Sequence, residues 1–185
     1  IISINMADAQ WTTANLSTTR FSLSATAVGT KVFFAGGLHN NVTPSSVVNI
    51  YDNSTGLWTT SNLSVARGYL SAATVGSKVF FAGGDDGNPS SVVDIYDNST
   101  GLWTTANLSQ ARSALSSTAV GTKVFFAGGM IGSSSYSSVV DIYDNSTGLW
   151  TTANLSQARS VLSATAVGTK VFFAGGFATV PQTVF

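Results

Sequence analysis

The sequence contains no cysteine and no glutamate, and its single histidine is His39. Without cysteine there is no disulfide framework and no thiolate nucleophile, and the redox compartment is left open. Without glutamate and with one histidine, the acids, bases and metal ligands that hydrolytic or redox chemistry needs are nearly absent. Charge is scarce as well: 9% of residues are charged, and the formal net charge is zero. Such a chain has no electrostatic attraction for nucleic acid or for an anionic membrane. No apolar run approaches the roughly 18 residues of a membrane-spanning helix; the longest, Val124–Ala127 and its equivalents, ends in a Gly pair after a few residues. Yet 44% of the residues are hydrophobic, too many for a disordered chain. The chain opens Ile1-Ile2-Ser3-Ile4, with neither Met nor a signal-peptide pattern, as expected of a processed chain or a fragment. These absences leave binding and structural roles ahead of enzymes, with no cofactor, no metal, no nucleic acid and no membrane insertion expected.

What fills the chain is one segment repeated four times. Gly-Leu-Trp-Thr-Thr stands at Gly56–Thr60, Gly101–Thr105 and Gly148–Thr152, with a degenerate copy at Trp11–Thr13. Val-Phe-Phe-Ala-Gly-Gly ends at Gly37, Gly84, Gly129 and Gly176. The Trp residues step by 47, 45 and 47 positions, as do the Gly pairs. A period of about 40 to 50 residues means one supersecondary unit used repeatedly. All eight basic residues obey it: Arg20, Arg67, Arg112 and Arg159 form one set, and Lys31, Lys78, Lys123 and Lys170 the other.

The unit reads as four strands. From Gln110, residues 111–120 are small and β-compatible and close at Gly121-Thr122. Lys123–Ala127 follows, apolar on both pleat faces, then a variable stretch, a third strand over 138–143, the turn Asp144-Asn145-Ser146-Thr147-Gly148, and a fourth strand over 149–153. A strand apolar on both faces has to be covered on both sides, and stacked antiparallel meanders do that. No segment shows sustained helical periodicity.

A double Gly after an apolar strand, Tyr143 in the next strand, Trp150 seven residues beyond and Arg159 opening the next unit resemble the kelch repeat. Tyr51 and Tyr96 keep the Tyr position; in the terminal copy Ile4 or Asn5 stands there. The resemblance implies an all-β kelch-like β-propeller of four-stranded antiparallel blades, first strand at the axis and fourth at the rim. One domain over 1–185 would hold blades at 19–62, 66–107 and 111–154, and a split blade made of 158–185 plus 1–15. That blade would close the ring by pairing Thr183-Val184-Phe185 with Ile1-Ile2-Ser3-Ile4, or be completed between two chains or along a head-to-tail polymer. The Trp and Tyr residues are expected to pack between blades, and the Gly pairs to permit positive φ or close backbone approach.

Candidate site residues are few. The resemblance places the Arg set at the start of the inner strands, where Arg20, Arg67, Arg112 and Arg159 could hold carboxylates bidentately or tie blades together through carbonyls and Asp. Asp94 and Asp141, with Asn49 in register, are expected to bond across strands or to the Arg of a neighbouring blade. Asp52, Asp97 and Asp144 are expected to accept turn N–H groups. Asp85-Asp86 near Asn88 lacks the alternating oxygens of a calcium loop and reads as a solvated turn. The segments after the Gly pairs do not match one another, although the blocks Asn98–Gly129 and Asn145–Gly176 differ only at Ala114/Val161 and Ser117/Ala164. Unmatched loops on a repeated scaffold are where recognition concentrates. The expected binding surface is therefore His39, Asn41, Asp85, Asp86, Asn88, Met130, Tyr136 and Phe177.

Asn-X-Ser/Thr triplets stand at Asn15, Asn41, Asn53, Asn62, Asn98, Asn107, Asn145 and Asn154, each a possible N-glycosylation site if the chain is secreted from a eukaryotic cell. With the Ser/Thr/Asn-rich, weakly charged surface, they suggest an extracellular or cell-surface protein. The function expected is a non-catalytic binding or scaffold module offering its loops to a protein or glycan. The alternative is an extracellular structural subunit that self-associates through strand pairing of its termini.

Overall fold

Successive residues of a strand point to opposite faces of its sheet, so Phe80 and Phe81 within Lys78–Ala82 must be buried against two different neighbours. The computed structural model, which describes residues 2–5, 10–40 and 42–178, meets this demand by stacking sheets. Three four-stranded antiparallel meanders, the blades, follow one another along the chain. The first comprises Ser24–Val28, Lys31–Ala35, Val47–Asp52 and Leu57–Asn62. The second comprises Ser71–Val75, Lys78–Ala82, Val92–Asp97 and Leu102–Asn107. The third comprises Ser116–Val120, Lys123–Ala127, Val139–Asp144 and Leu149–Asn154. Ser163–Val167 pairs with Lys170–Ala174 as the first half of a fourth, and Ile2–Asn5 pairs with Gln10–Thr13 in register Ile4↔Trp11. There is no helix among the described residues.

Two apolar clusters lie between the blades. In one, Phe33, Ala35 and Val48 of the first blade meet Val79, Phe81 and Tyr96 of the second. In the other, Phe80, Ala82 and Val93 of the second meet Val124, Phe126 and Tyr143 of the third. Phe80 is fully buried, its ring 6.2 Å from Phe126, 5.0 Å from Tyr143 and 6.3 Å from Trp150. The Tyr and Trp of the repeat thus fill the space between the second and third blades. The first strands of consecutive blades lie side by side, with Thr26 Oγ1 2.9 Å from Thr74 Oγ1 and Ser71 Oγ 2.7 Å from Ser117 Oγ. This radial stacking is the arrangement of a kelch-type propeller, and the described residues leave the ring open.

The Gly pair is the joint between blades. The second Gly donates its N–H to the carbonyl of the next blade's Arg: Gly37 to Arg67 at 3.0 Å, Gly84 to Arg112 at 2.9 Å, Gly129 to Arg159 at 2.8 Å. The first Gly clears the way. A Cβ on Gly36, Gly83 or Gly128 would stand 2.5 Å from that same carbonyl oxygen, and all three have positive φ.

Two expectations shift. The inner strand expected over 111–120 begins only at Ser116, because Ala114 adopts φ 50° and breaks the extended run. The third strand runs Val139–Asp144, one residue later than 138–143. The strands of the expected split blade form separate two-stranded sheets among the described residues. Residues Thr183-Val184-Phe185, on which the expected clasp rests, lie outside them.

Candidate binding face

Two residues after each blade-opening Arg, the backbone turns into the left-handed region: Ser22, Tyr69, Ala114 and Val161 have φ of 52°, 53°, 50° and 54°. These four residues are joined. Tyr69 N–H donates to Ser22 C=O at 3.0 Å, Ala114 N–H to Tyr69 C=O at 2.9 Å, and Val161 N–H to Ala114 C=O at 2.9 Å. The result is a collar of backbone running from blade to blade, each member followed by a Leu: Leu23, Leu70, Leu115, Leu162. Collar and leucines line a cavity of about 820 Å³.

The unmatched loops complete its wall. Asp85, Gly87, Asn88 and Pro89 reach it from the second blade, and Met130, Gly132 and Ser133 from the third. Asp85 Oδ1 accepts Gly87 N–H at 2.7 Å and Asp86 Oδ1 accepts Asn88 N–H at 3.3 Å, so each carboxylate shapes its own turn. Of the eight loop candidates, the structure therefore brings Asp85, Asn88 and Met130 to one cavity, with Asp86 next in the chain. His39 is elsewhere, its Nδ1 2.9 Å from Thr19 O. Tyr136 forms a β-bridge with Met130 and is not among the residues lining the cavity, and Phe177 pairs with Ser160 and is largely exposed. Asn41 lies outside the described residues. The collar itself was missed; its signal in the sequence is that Ala114/Val161 is one of only two differences between two otherwise matching blocks.

The Arg set does not line this cavity. Arg67 and Arg112 are fully buried, and each pairs with an Asp of its own blade rather than a neighbour's. Arg67 Nη2 donates to Asp94 Oδ2 at 2.7 Å and to Phe81 O at 3.0 Å. Arg112 donates to Asp141 and to Gly128 O. Burial lowers both guanidinium pKa values, and the partner carboxylate opposes the shift. The second oxygen of each carboxylate ties in the preceding link, accepting Ser64 N–H at Asp94 and Ser109 N–H at Asp141, both at 2.9 Å. In the first blade the neutral Asn49 takes this place, 2.5 Å from Arg20 Nη2. Arg159 donates to Gln157 Oε1 at 3.2 Å and to Gly175 O.

Turn acids behave as their position implies. Ser54, Ser99 and Ser146 N–H each donate at 2.9 Å to Asp52, Asp97 and Asp144. The Ser99 hydroxyl and amide, then Ser77, hold Asp97 well below the usual carboxylate range. Lys123, then the Ser146 hydroxyl and amide, do the same for Asp144. A folded pKa below the unfolded value means that the unfolded chain takes up protons first on acidification. Their stabilisation is thus complete above about pH 4 and is lost as pH falls below it. The melting temperature is expected to hold down to about pH 4 and then decline, less steeply in Asp97→Asn/Asp144→Asn; an identical decline in both proteins would contradict this.

No group of three or more His, Cys, Asp or Glu side chains converges among the described residues. The kelch motif matches at residues 66–107 and 111–154, the second and third blades. Comparison with the curated proteins gives no match.

Proposed function

We propose that this kelch-repeat chain is a non-catalytic, protein-binding scaffold whose partner docks on the cavity bounded by the collar and the loops of the second and third blades. Kelch repeats generally serve as protein-binding scaffolds. One observation carries the assignment of the face: the four differing collar residues meet the loops of the second and third blades at one cavity, while the repeated aromatic and aliphatic residues pack between blades. Such a rigid floor with differing loops at its rim is how a scaffold acquires recognition without altering its fold. The test is selection of peptides from a random displayed library on the 185-residue chain. Selected peptides are expected to lose affinity on Asn88→Ala and Met130→Ala and to keep it on Thr59→Ala and Thr104→Ala at the rim strands; the reverse pattern would remove this face from consideration. Binders found only among glycans would assign the same face to a carbohydrate.

A specific observation favours self-association as a second reading. Val28 is 7% and Phe33 0% exposed inside the stack, while their equivalents Val167 and Phe172 are 67% and 48% exposed. At the other end Trp58 is exposed, although its equivalents Trp103 and Trp150 are half-buried. Among the described residues, these two end faces carry the residues that cover one another within the stack, so a second copy fits head to tail. Sedimentation is expected to show assemblies that Phe172→Asp dissolves; a 19.1 kDa species at every concentration would exclude them.

An extracellular or cell-surface location is part of this proposal, supported by the exposure of Asn15, Asn53, Asn62, Asn107 and Asn154. Asn98 and Asn145 differ. Asn98 Oδ1 accepts Lys31 Nζ at 3.1 Å, and Asn145 Nδ2 lies so close to the preceding blade that a Cβ on Gly76 would be 2.7 Å away. Folded chain secreted from eukaryotic cells is expected to carry glycans at Asn62, Asn107 and Asn154 and none at Asn98 or Asn145, as read by glycopeptide mass spectrometry. Full occupancy of Asn145 in folded protein would contradict this packing.

A further inference from the structure

We infer that the four collar side chains select the ligand, and that the ligand is a protein segment inserting an apolar side chain beside a basic one; this rests on the docking face proposed above. A φ near +50° is cheap for glycine and costly for any residue with a Cβ, most of all a β-branched or bulky one. This chain uses glycine freely where φ is positive, as at Gly83 and Gly84. Yet at the collar all four blades carry a side chain: Ser22, Tyr69, Ala114 and Val161. Arg stands two residues before and Leu one residue after in every blade, and the position between Arg and the collar varies as well, as Phe21, Gly68, Ser113 and Ser160.

The backbone of the collar is imposed by its own hydrogen bonds and by the joint at the Gly pair. Glycine would satisfy both at lower strain. Packing does not explain the side chains either, because Tyr69 and Val161 are 45% and 57% exposed while lining the cavity. Strain maintained at four equivalent positions by four different side chains marks a surface kept for contact.

The chemistry of the cavity names the contact. Its floor is apolar, with Leu70 and Leu115 beneath the collar and Met130, an adaptable side chain, on the wall. The one carboxylate in the lining is Asp85, and no Lys, Arg or His lines the cavity among the described residues. Gly87 N–H fixes Asp85 Oδ1, which orients the other oxygen for a donor. An apolar anchor seated on the leucines with a cation at Asp85 satisfies both features.

The experiment uses the 185-residue chain, a random displayed peptide library, and the variants Tyr69→Gly, Val161→Gly and Asp85→Asn. Peptides with an apolar residue next to Lys or Arg are expected to dominate the selection. Titration calorimetry should show about a tenfold or greater affinity loss on each glycine variant, while its melting temperature is unchanged or raised. Asp85→Asn should weaken basic peptides and spare neutral ones. Selected peptides that bind both glycine variants unchanged, yet lose affinity on Met130→Ala, would overturn the collar's role and leave the docking face standing. Peptides indifferent to all of these changes would overturn the face as well. A lowered melting temperature in the glycine variants would make the collar a structural device. Enrichment of acidic peptides, or of none, would overturn the ligand class.

Discussion

Replacing Arg67 with methionine is expected to lower stability by about 3–5 kcal/mol, because the Asp94 carboxylate would remain buried without a counter-charge. Arg67 is fully buried and Asp94 nearly so, at 2.7 Å from one another. The pair is destabilising to break and inexpensive to replace. The double variant Arg67→Met/Asp94→Leu should therefore recover most of the loss, retaining a deficit of about 1 kcal/mol for the orphaned Ser64 N–H. Arg20→Met offers an internal control: its partner Asn49 is neutral, so the loss should be about 1–2 kcal/mol. Urea midpoints at constant slope measure all three. Equal losses for Arg20→Met and Arg67→Met would show that the acid contributes packing or hydrogen bonding and not charge.

The second large effect sits at the joint between blades. Gly83→Ala places a Cβ 2.5 Å from Arg112 O, a backbone atom that no side-chain rotation relieves, at φ +66°. Strain and clash together should cost about 3–5 kcal/mol, or about 10 °C of melting temperature for a domain of this size. The same change at Gly175 is a sharp contrast. Its φ is +73°, but nothing lies within 4 Å of the added Cβ, so only backbone strain of about 1–2 kcal/mol remains. Equal destabilisation at both glycines, read by thermal melts, would mean that Gly175 is also docked in solution and that the ring is closed there.

Much of the architecture could be read from residues that repeat for packing reasons. Phe80 and Phe81, apolar on both pleat faces, already required a neighbour on each side, and the Tyr–Trp spacing located the third and fourth strands. The turn acids were legible because Asp97 bonds within its own turn. Non-local partners were not. That Asp94 pairs with the Arg opening its own blade follows from how the chain returns to the axis, which no spacing reveals. The collar escaped for a different reason. Positive φ is written in sequence as glycine or asparagine, and Tyr69 and Val161 are neither, so their backbone state could be found only from coordinates. Of the loop candidates, Asp85, Asn88 and Met130 reach the cavity because the second and third blades flank it. His39 is drawn instead to the Thr19 carbonyl within the first blade.

The blades stand side by side about an axis with their first strands adjacent, and the absence of native cysteine permits a direct test. Ser71 and Ser117 face one another across two blades with their hydroxyls 2.7 Å apart. In the Ser71→Cys/Ser117→Cys protein, mild oxidation should form one intramolecular disulfide, seen by intact mass as the loss of two hydrogens and by protection from thiol labelling. Two freely labelled thiols after oxidation of the folded monomer, or a disulfide found only between chains, would contradict the radial stacking.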